Sequence, residues 1–434
     1  MNFFKIPLLK DFFSYGLVGV LGKAINIFVI PLYVKYLSVE EFGVLEIFVT
    51  AIAIFTLIST FQLDSAFLRF YSQLKNKEDI DIYFSTGLNS IFLLLFPFCF
   101  ITYFIMKSFF IGINNDVLYA IIILIPVKSL FSYIACIFRV TFNRSLFIKI
   151  NLINIIGIPI LSVVLLSLNN GINGIILSTI ILNIISLIAI IIITQKHYTF
   201  QINNKIIKRF FIYSLPLIPA SISVTLQQNL SKFFITAFLS LTILGYYSFA
   251  LKVFIPFALI IQSLKMAWYP RAFKIFDSES KSKTEFLKIE KYYVILVILV
   301  FLFLISISEY IINYFGAGKM DSSEDFVVLI GTFLFIRALS YFYIASLNII
   351  KKTNLIFQIN LLSVVFLIIN LSLLYYFKKI SIVNTIFCEI VVEFIRLLLI
   401  CLFSNKYFNG YFKYRVFILF PLLIILNLWA LNII

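Results

Sequence analysis

The sequence predicts an all-α polytopic membrane protein folded as two pseudo-symmetric six-helix bundles, with about 12 or 13 transmembrane helices. Three observations predict it. The composition cannot form a water-soluble surface. The apolar residues fall into runs long enough to cross a bilayer. The cations between those runs collect on alternate loops.

Of the 434 residues, 62% are apolar and 12% are charged, with a mean hydropathy of +1.08. Soluble domains run at about 45–50% apolar and about 25% charged. The net charge is +16. In a soluble chain that surplus would point to nucleic acid. Here the cations sit in short segments between apolar runs, so no nucleic-acid partner is expected. Cys99, Cys136, Cys388 and Cys401 all lie inside apolar runs, without a C-x-x-C spacing, and read as small apolar residues. His197 is the sole histidine and lies in a basic loop. Histidine-based metal or triad chemistry has no material to work with, and no cofactor is expected beyond a coupling Na+ or H+.

The candidate spans are 12–37, 42–66, 83–106, 116–138, 147–168, 173–194, 210–238, 245–268, 292–314, 326–349, 355–377, 382–403 and 416–433. The first is too long for the apolar core of a cleaved signal and contains Lys23. The last decides between 12 and 13 helices. With the N-terminus in the cytoplasm, the inside segments hold 23 Lys and Arg, from Lys5 to Arg415. The outside segments hold five: Lys35, Lys107, Lys319, Lys378 and Lys379. That asymmetry sets the orientation in a bacterial inner membrane. No outside loop is long enough to fold alone.

A weak repeat supplies the two bundles. Lys10-Asp-Phe-Phe-Ser-Tyr15 matches Lys208-Arg-Phe-Phe-Ile-Tyr213, and Leu37-Ser-Val-Glu-Glu-Phe-Gly43 matches Leu239-Ser-Leu-Thr-Ile-Leu-Gly245. Arg69 and Arg271 then fall at equal distances beyond Gly43 and Gly245. Six spans separate the copies, so both halves share one orientation, a parallel repeat about the membrane normal. The expected organisation is an N-terminal six-helix bundle over 1–195, a cytoplasmic linker over 196–209 and a C-terminal six-helix bundle over 210–403. A cytoplasmic segment with a further candidate helix follows over 404–434.

Seven cations fall inside spans: Lys23, Lys128, Lys232, Lys252, Lys265, Arg337 and Arg396. A cation at mid-helix costs about 2.5–3.5 kcal/mol on insertion scales, so it faces a wet cavity or a partner. Lys23, Lys128 and Arg337 are the deepest. Lys232, Lys252 and Lys265 lie nearer the ends, where long stems also snorkel. Glu389, Glu393 and Arg396 share one helix face at i, i+4 and i+7. They fit either a self-neutralising cluster or a proton or sodium site that couples transport. Even with every acid paired the spans retain positive charge, and a cavity with that surplus attracts an anion. Gln227, Gln228 and Asn229 suit either helix–helix hydrogen bonds or sugar hydroxyls. Pro31, Pro126, Pro159, Pro216, Pro219 and Pro256 interrupt spans, and Pro216 and Pro219 bracket the second half as kinks or a hinge.

Four segments carry a resemblance to a known family. They are Tyr36-Leu-Ser-Val-Glu-Glu-Phe-Gly-Val-Leu45, Leu63-Asp-Ser-Ala-Phe-Leu-Arg-Phe-Tyr71, Tyr213-Ser-Leu-Pro-Leu-Ile-Pro219 and Gly245-Tyr-Tyr-Ser-Phe-Ala-Leu-Lys252. The chain resembles the polysaccharide-transport branch of the multidrug/oligosaccharidyl-lipid/polysaccharide exporter superfamily, the Wzx-type O-antigen flippases. The resemblance implies a MATE-like pair of bundles around a cationic cavity. It implies a substrate as well, a polyprenyl-pyrophosphate-linked oligosaccharide moved from the inner to the outer leaflet. Arg69 matches the family's arginine after the second span. Many relatives carry Asp-Arg where this chain has Ser231-Lys232, so the cation is kept and the acid is not.

Three function classes follow. The first is a flippase whose cavity cations, Lys23, Lys128, Arg337, Lys232, Lys252 and Arg69, hold the diphosphate, with Glu389, Glu393 and Arg396 as the ion-coupling group. Its partners would be the lipid-linked oligosaccharide, membrane lipids and polysaccharide-assembly machinery. The second is an exporter of drugs or organic cations, which needs a deep acid that the first half lacks. The third is a membrane glycosyltransferase or polymerase, for which the short outside loops offer no acid/base pair. A transporter, not an enzyme, is expected.

Overall fold

The structure, a computed structural model, describes residues 7–74, 76–109, 112–141, 143–277 and 282–407, and among these there is no strand. The expected span 416–433 lies outside the described residues. The chain divides into two compact units, Met1–Thr225 and Leu226–Ile434.

The first unit contains α1 (Pro7–Tyr36), α2 (Val39–Ser59), α3 (Leu63–Tyr71), α4 (Lys77–Phe109), α5 (Asn115–Ile134), α6 (Cys136–Val140), α7 (Arg144–Ser167), α8 (Gly171–Thr194) and α9 (Asn204–Ser214). The unit boundary falls within α10 (Leu217–Phe238). The second unit continues with α11 (Leu241–Val253), α12 (Ile255–Asp277), α13 (Ser282–Gly316), α14 (Glu324–Ile349), α15 (Thr353–Tyr376) and α16 (Ile382–Tyr407). Among the described residues eight helices are long and apolar enough to cross a membrane, or up to ten when the bent pairs α9–α10 and α11–α12 each count as one. Helix α16 is as long, but Glu389, Glu393 and Arg396 interrupt its apolar run. Large apolar side chains such as Phe92, Phe96 and Phe100 stand exposed along α4. Lipid, not water, suits such a surface.

The paired sequence segments start paired helices. Ser38 caps α2, its hydroxyl accepting from the Glu41 N–H at 3.1 Å while its own N–H donates to the Glu41 carboxylate at 2.8 Å. Ser240 caps α11 in the same register, accepting from the Ile243 N–H at 3.1 Å. Each cap satisfies a donor that the first turn leaves without a helical partner. Packing repeats too. In the first unit α8 lies on α5 and α7, and α2 and α4 lie on α5. In the second α16 lies on α14 and α15, and α11 and α13 lie on α14.

Three expected spans are broken rather than continuous. The run 42–66 ends at Phe61 and Gln62, whose φ of 50° and 55° turn the chain left-handed before the short amphipathic α3. The run 210–238 bends by 44° between α9 and α10, ahead of Pro219, and the run 245–268 bends by 48° between α11 and α12, where Pro256 withholds a helix N–H. Pro31, Pro126 and Pro159 lie inside helices that continue past them.

The basic segment 196–209, the expected linker, is bonded to α4, and the first compact unit extends beyond it to Thr225. His197 Nδ1 lies 2.8 Å from Asp81 Oδ1 at the start of α4. Thr199 N–H donates to Ser85 Oγ at 2.8 Å, and Tyr198 OH donates to Asn89 Oδ1 at 2.8 Å. Helix α9 then stacks Phe210 on Phe70 of α3 and donates from Arg209 to the Tyr83 phenol. The cysteines are free thiols, three buried and Cys99 partly so.

Candidate functional site

Five helices of the second unit meet in one buried ionic network. Glu393 of α16 accepts from Arg337 Nε of α14 at 2.7 Å through one oxygen and from Arg396 Nη1 at 3.1 Å through the other. Gln227 Nε2 of α10 donates to the first of these oxygens at 3.2 Å. Arg396 Nε donates to Asn360 Oδ1 of α15 at 3.1 Å. One turn before Glu393, Glu389 accepts from the Tyr247 phenol of α11 at 3.1 Å. Glu389, Glu393 and Arg396 are 3%, 1% and 6% exposed. Buried charges persist when paired and hydrogen-bonded, and here one carboxylate, that of Glu393, is shared by two arginines. The sequence grouped Arg337 with the uncompensated deep cations. In the structure Arg337 is ion-paired to Glu393, which it shares with Arg396.

Lys128 of the first unit stands in the same helical register without that compensation. It lies thirteen residues beyond Asn115, the first residue of α5, as Arg337 lies thirteen beyond Glu324, the first of α14. Lys128 is half-buried, and no hydrogen bond or ion pair joins it to another described residue. The reason lies in the neighbouring helix. Helix α16 brings two glutamates to α14, whereas α8, which packs on α5 in the matching place, has no charged residue among its 24. Its buried polar groups are Ser178, Thr179, Asn183, Ser186 and, bonded to the Ile190 carbonyl, Thr194. The first three bond back to their own helix, and Ser186 bonds to Asn154 of α7.

The other predicted residues belong to several helices. Lys232 of α10 and Lys252 of α11 are half-buried, and each interacts with a neighbouring group. Arg69 is exposed in the last turn of α3. Lys23 belongs to α1, and its side chain lies outside the described residues. Lys265 of α12, which the sequence left between snorkelling and burial, sits over two aromatic rings: its ammonium is 4.8 Å from the Tyr341 centroid and 5.6 Å from that of Tyr269. Tyr247 and Asn360 were not picked out as network members. Asn360 left a signal, an amide in an otherwise apolar run.

The profile of a family described as polysaccharide biosynthesis proteins matches residues 34–325. The chain belongs to the polysaccharide biosynthesis protein family. No curated protein matches the sequence. Solved structures similar to this family member share its fold. The lipid II flippase MurJ, in an inward closed conformation, superposes with a TM-score of 0.71 at 18% identity, over 96% of this chain and 97% of that one. An inward-facing multidrug resistance MATE transporter of the MOP superfamily gives 0.66 at 15% identity, over 89% and 94%. A MOP superfamily transporter from Pyrococcus furiosus, described as having a binding pocket of reverse polarity, gives 0.59 at 12% identity, over 93% and 96%. The fold is therefore the MATE-like one that the sequence predicted.

Proposed function

We propose that this polysaccharide biosynthesis protein is a flippase that moves a polyprenyl-pyrophosphate-linked oligosaccharide, of O-antigen or capsule-repeat type, from the cytoplasmic to the outer leaflet of the inner membrane. Lys128 carries the proposal. It is a cation kept inside an apolar bundle without a carboxylate, at a place where the other unit neutralises its cation with Glu393. An ammonium held at such cost suits an anionic cargo. A diphosphate answers that charge, and the family supplies the saccharide. Movement would proceed by alternating access, with the N-terminus cytoplasmic and no covalent step. Glu389, which among the described residues accepts from a phenol and from no guanidinium, is the group we assign to H+ or Na+ coupling, with Glu393 and Arg396 fixing its helix.

The test is reconstitution in liposomes with a fluorescent polyprenyl-diphosphate sugar in one leaflet. Wild-type protein is expected to expose the probe to a membrane-impermeant quencher, and Lys128→Glu to abolish this. An intact Lys128→Glu rate would overturn the reading. Accumulation of organic cations without movement of the probe would instead establish an exporter, and bond formation on the labelled lipid an enzyme.

A further inference from the structure

Lys265 makes no ion pair with the network among the described residues, yet the second unit builds a fixed setting for it. Behind it lies a buried aromatic wall. Trp268, three residues on, stacks on Phe342 at 4.3 Å and 12° between planes, and its indole N–H donates to the Phe342 carbonyl at 3.0 Å. Tyr293 of α13 packs on the same Phe342 and donates to the Ala338 carbonyl at 2.7 Å. These contacts lock α12, α13 and α14 together and fix the residues beside them. Those residues, Lys265 and Tyr269 on α12 and Tyr341 on α14, are half-buried rather than buried. Tyr341 follows Arg337 by one turn.

The chemistry of this trio is specific. The ammonium has no carboxylate partner among the described residues and rests on the faces of two rings. A cation–π contact of this kind is enough to hold the site in order and weak enough for an anion to replace. The Tyr341 phenol has no hydrogen-bond partner among the described residues. Two rigid rings and one ammonium suit an anionic glycosyl unit: ring faces for the C–H side of a pyranose, the Tyr341 phenol for a hydroxyl, and a cation for the attached phosphate, while the Tyr269 phenol is held by Asn348. A purely structural cluster would have buried the phenols and paired the lysine, as the neighbouring network does for its arginines.

We infer that Lys265, Tyr269 and Tyr341 form a glycosyl-phosphate subsite that recognises the first sugar of the cargo together with its phosphate. The inference rests on the flippase reading and adds to it a saccharide-recognising element. The negative charge has two sources, the diphosphate or an acidic sugar, and the test separates them.

Purified full-length protein in nanodiscs is titrated with three probes: farnesyl diphosphate, farnesyl diphosphate bearing one N-acetylhexosamine, and the same compound bearing a hexuronic acid. Tyr341→Leu is expected to weaken both glycosylated probes about tenfold, about 1.4 kcal/mol, and to leave farnesyl diphosphate no weaker. Tyr341→Phe, which keeps the ring, is expected to stay within about threefold of wild type. Lys265→Met is expected to weaken all three if the lysine meets the diphosphate, and only the uronate probe if it meets the sugar acid. Equal affinity of Tyr341→Leu and wild type for every probe overturns the subsite. So does an equal loss for all three probes, which marks a packing role. Wild-type protein that binds none of the probes overturns the flippase reading itself.

Discussion

Helices α5 and α14 hold a cation at the same distance from their starts, inside bundles packed in the same pattern, and the two cations live differently. Arg337 is tied to Glu393, which also holds Arg396, and the set knits α10, α11, α14, α15 and α16 together. Lys128 has no ion pair among the described residues, and α8, which packs on its helix, carries no charge. The repeated scaffold fixes where a cation stands, and the adjoining helix decides whether it serves as a brace or remains available to a ligand. Solvation makes the difference sharp, since a cation in an apolar bundle has few water molecules to compensate it.

The comparison breaks first at Glu393. Glu393→Ala strands two buried guanidinium groups and is expected to lower stability by about 3–5 kcal/mol, seen as loss of a monodisperse peak and a lower unfolding temperature in detergent. If stability is unchanged, the second unit's network is not a brace. Next come the helix contacts on which each register depends. A methyl at Gly87 of α4 would meet the Tyr133 phenol of α5. Tyr133 cannot retreat, because it is fully buried, stacked on Phe84 and bonded to the Phe84 carbonyl at 3.0 Å. Gly87→Ala is expected to cost about 1–3 kcal/mol through overpacking, measured by thermal unfolding. Lys128→Met sharpens the contrast from the other side. It should leave the unfolding temperature unchanged or higher, because it removes an uncompensated charge, while slowing probe translocation about tenfold, about 1.4 kcal/mol. A parallel loss of stability would make Lys128 structural, like Arg337. The smallest effect compares the two caps. Ser38→Ala should cost about 1 kcal/mol and Ser240→Ala less, since only Ser38 has the reciprocal bond from its glutamate.

Much of this was readable before any coordinates. Apolar runs and sided cations mark the helices because a bilayer demands a fixed length of apolar chain. The repeat is visible because Ser38 and Ser240 must both cap a helix. The face shared by Glu389, Glu393 and Arg396 follows from helical periodicity alone, and in the structure Glu393 pairs with Arg396 and with Arg337 of α14. The breaks were harder to see. Phe61 and Gln62 carry no proline or glycine to announce a left-handed turn, and lipid leaves both faces of a helix apolar, which erases the periodicity that would reveal a bend. Partners across helices were harder still. Nothing local tells Arg337 that Glu393, fifty-six residues on, will lie 2.7 Å away, and the same holds for Lys265 and Tyr341.

The strapped connector has a consequence for dissection of the chain. Gln201, Ile202 and Asn203 are exposed, while the residues on either side of them are already engaged with α3 and α4. A single protease cut at Gln201 would sever the polypeptide and release nothing. Helix α9 would stay in its berth through Phe210, Phe211 and Arg209, and two gene fragments split at that residue should assemble when made together.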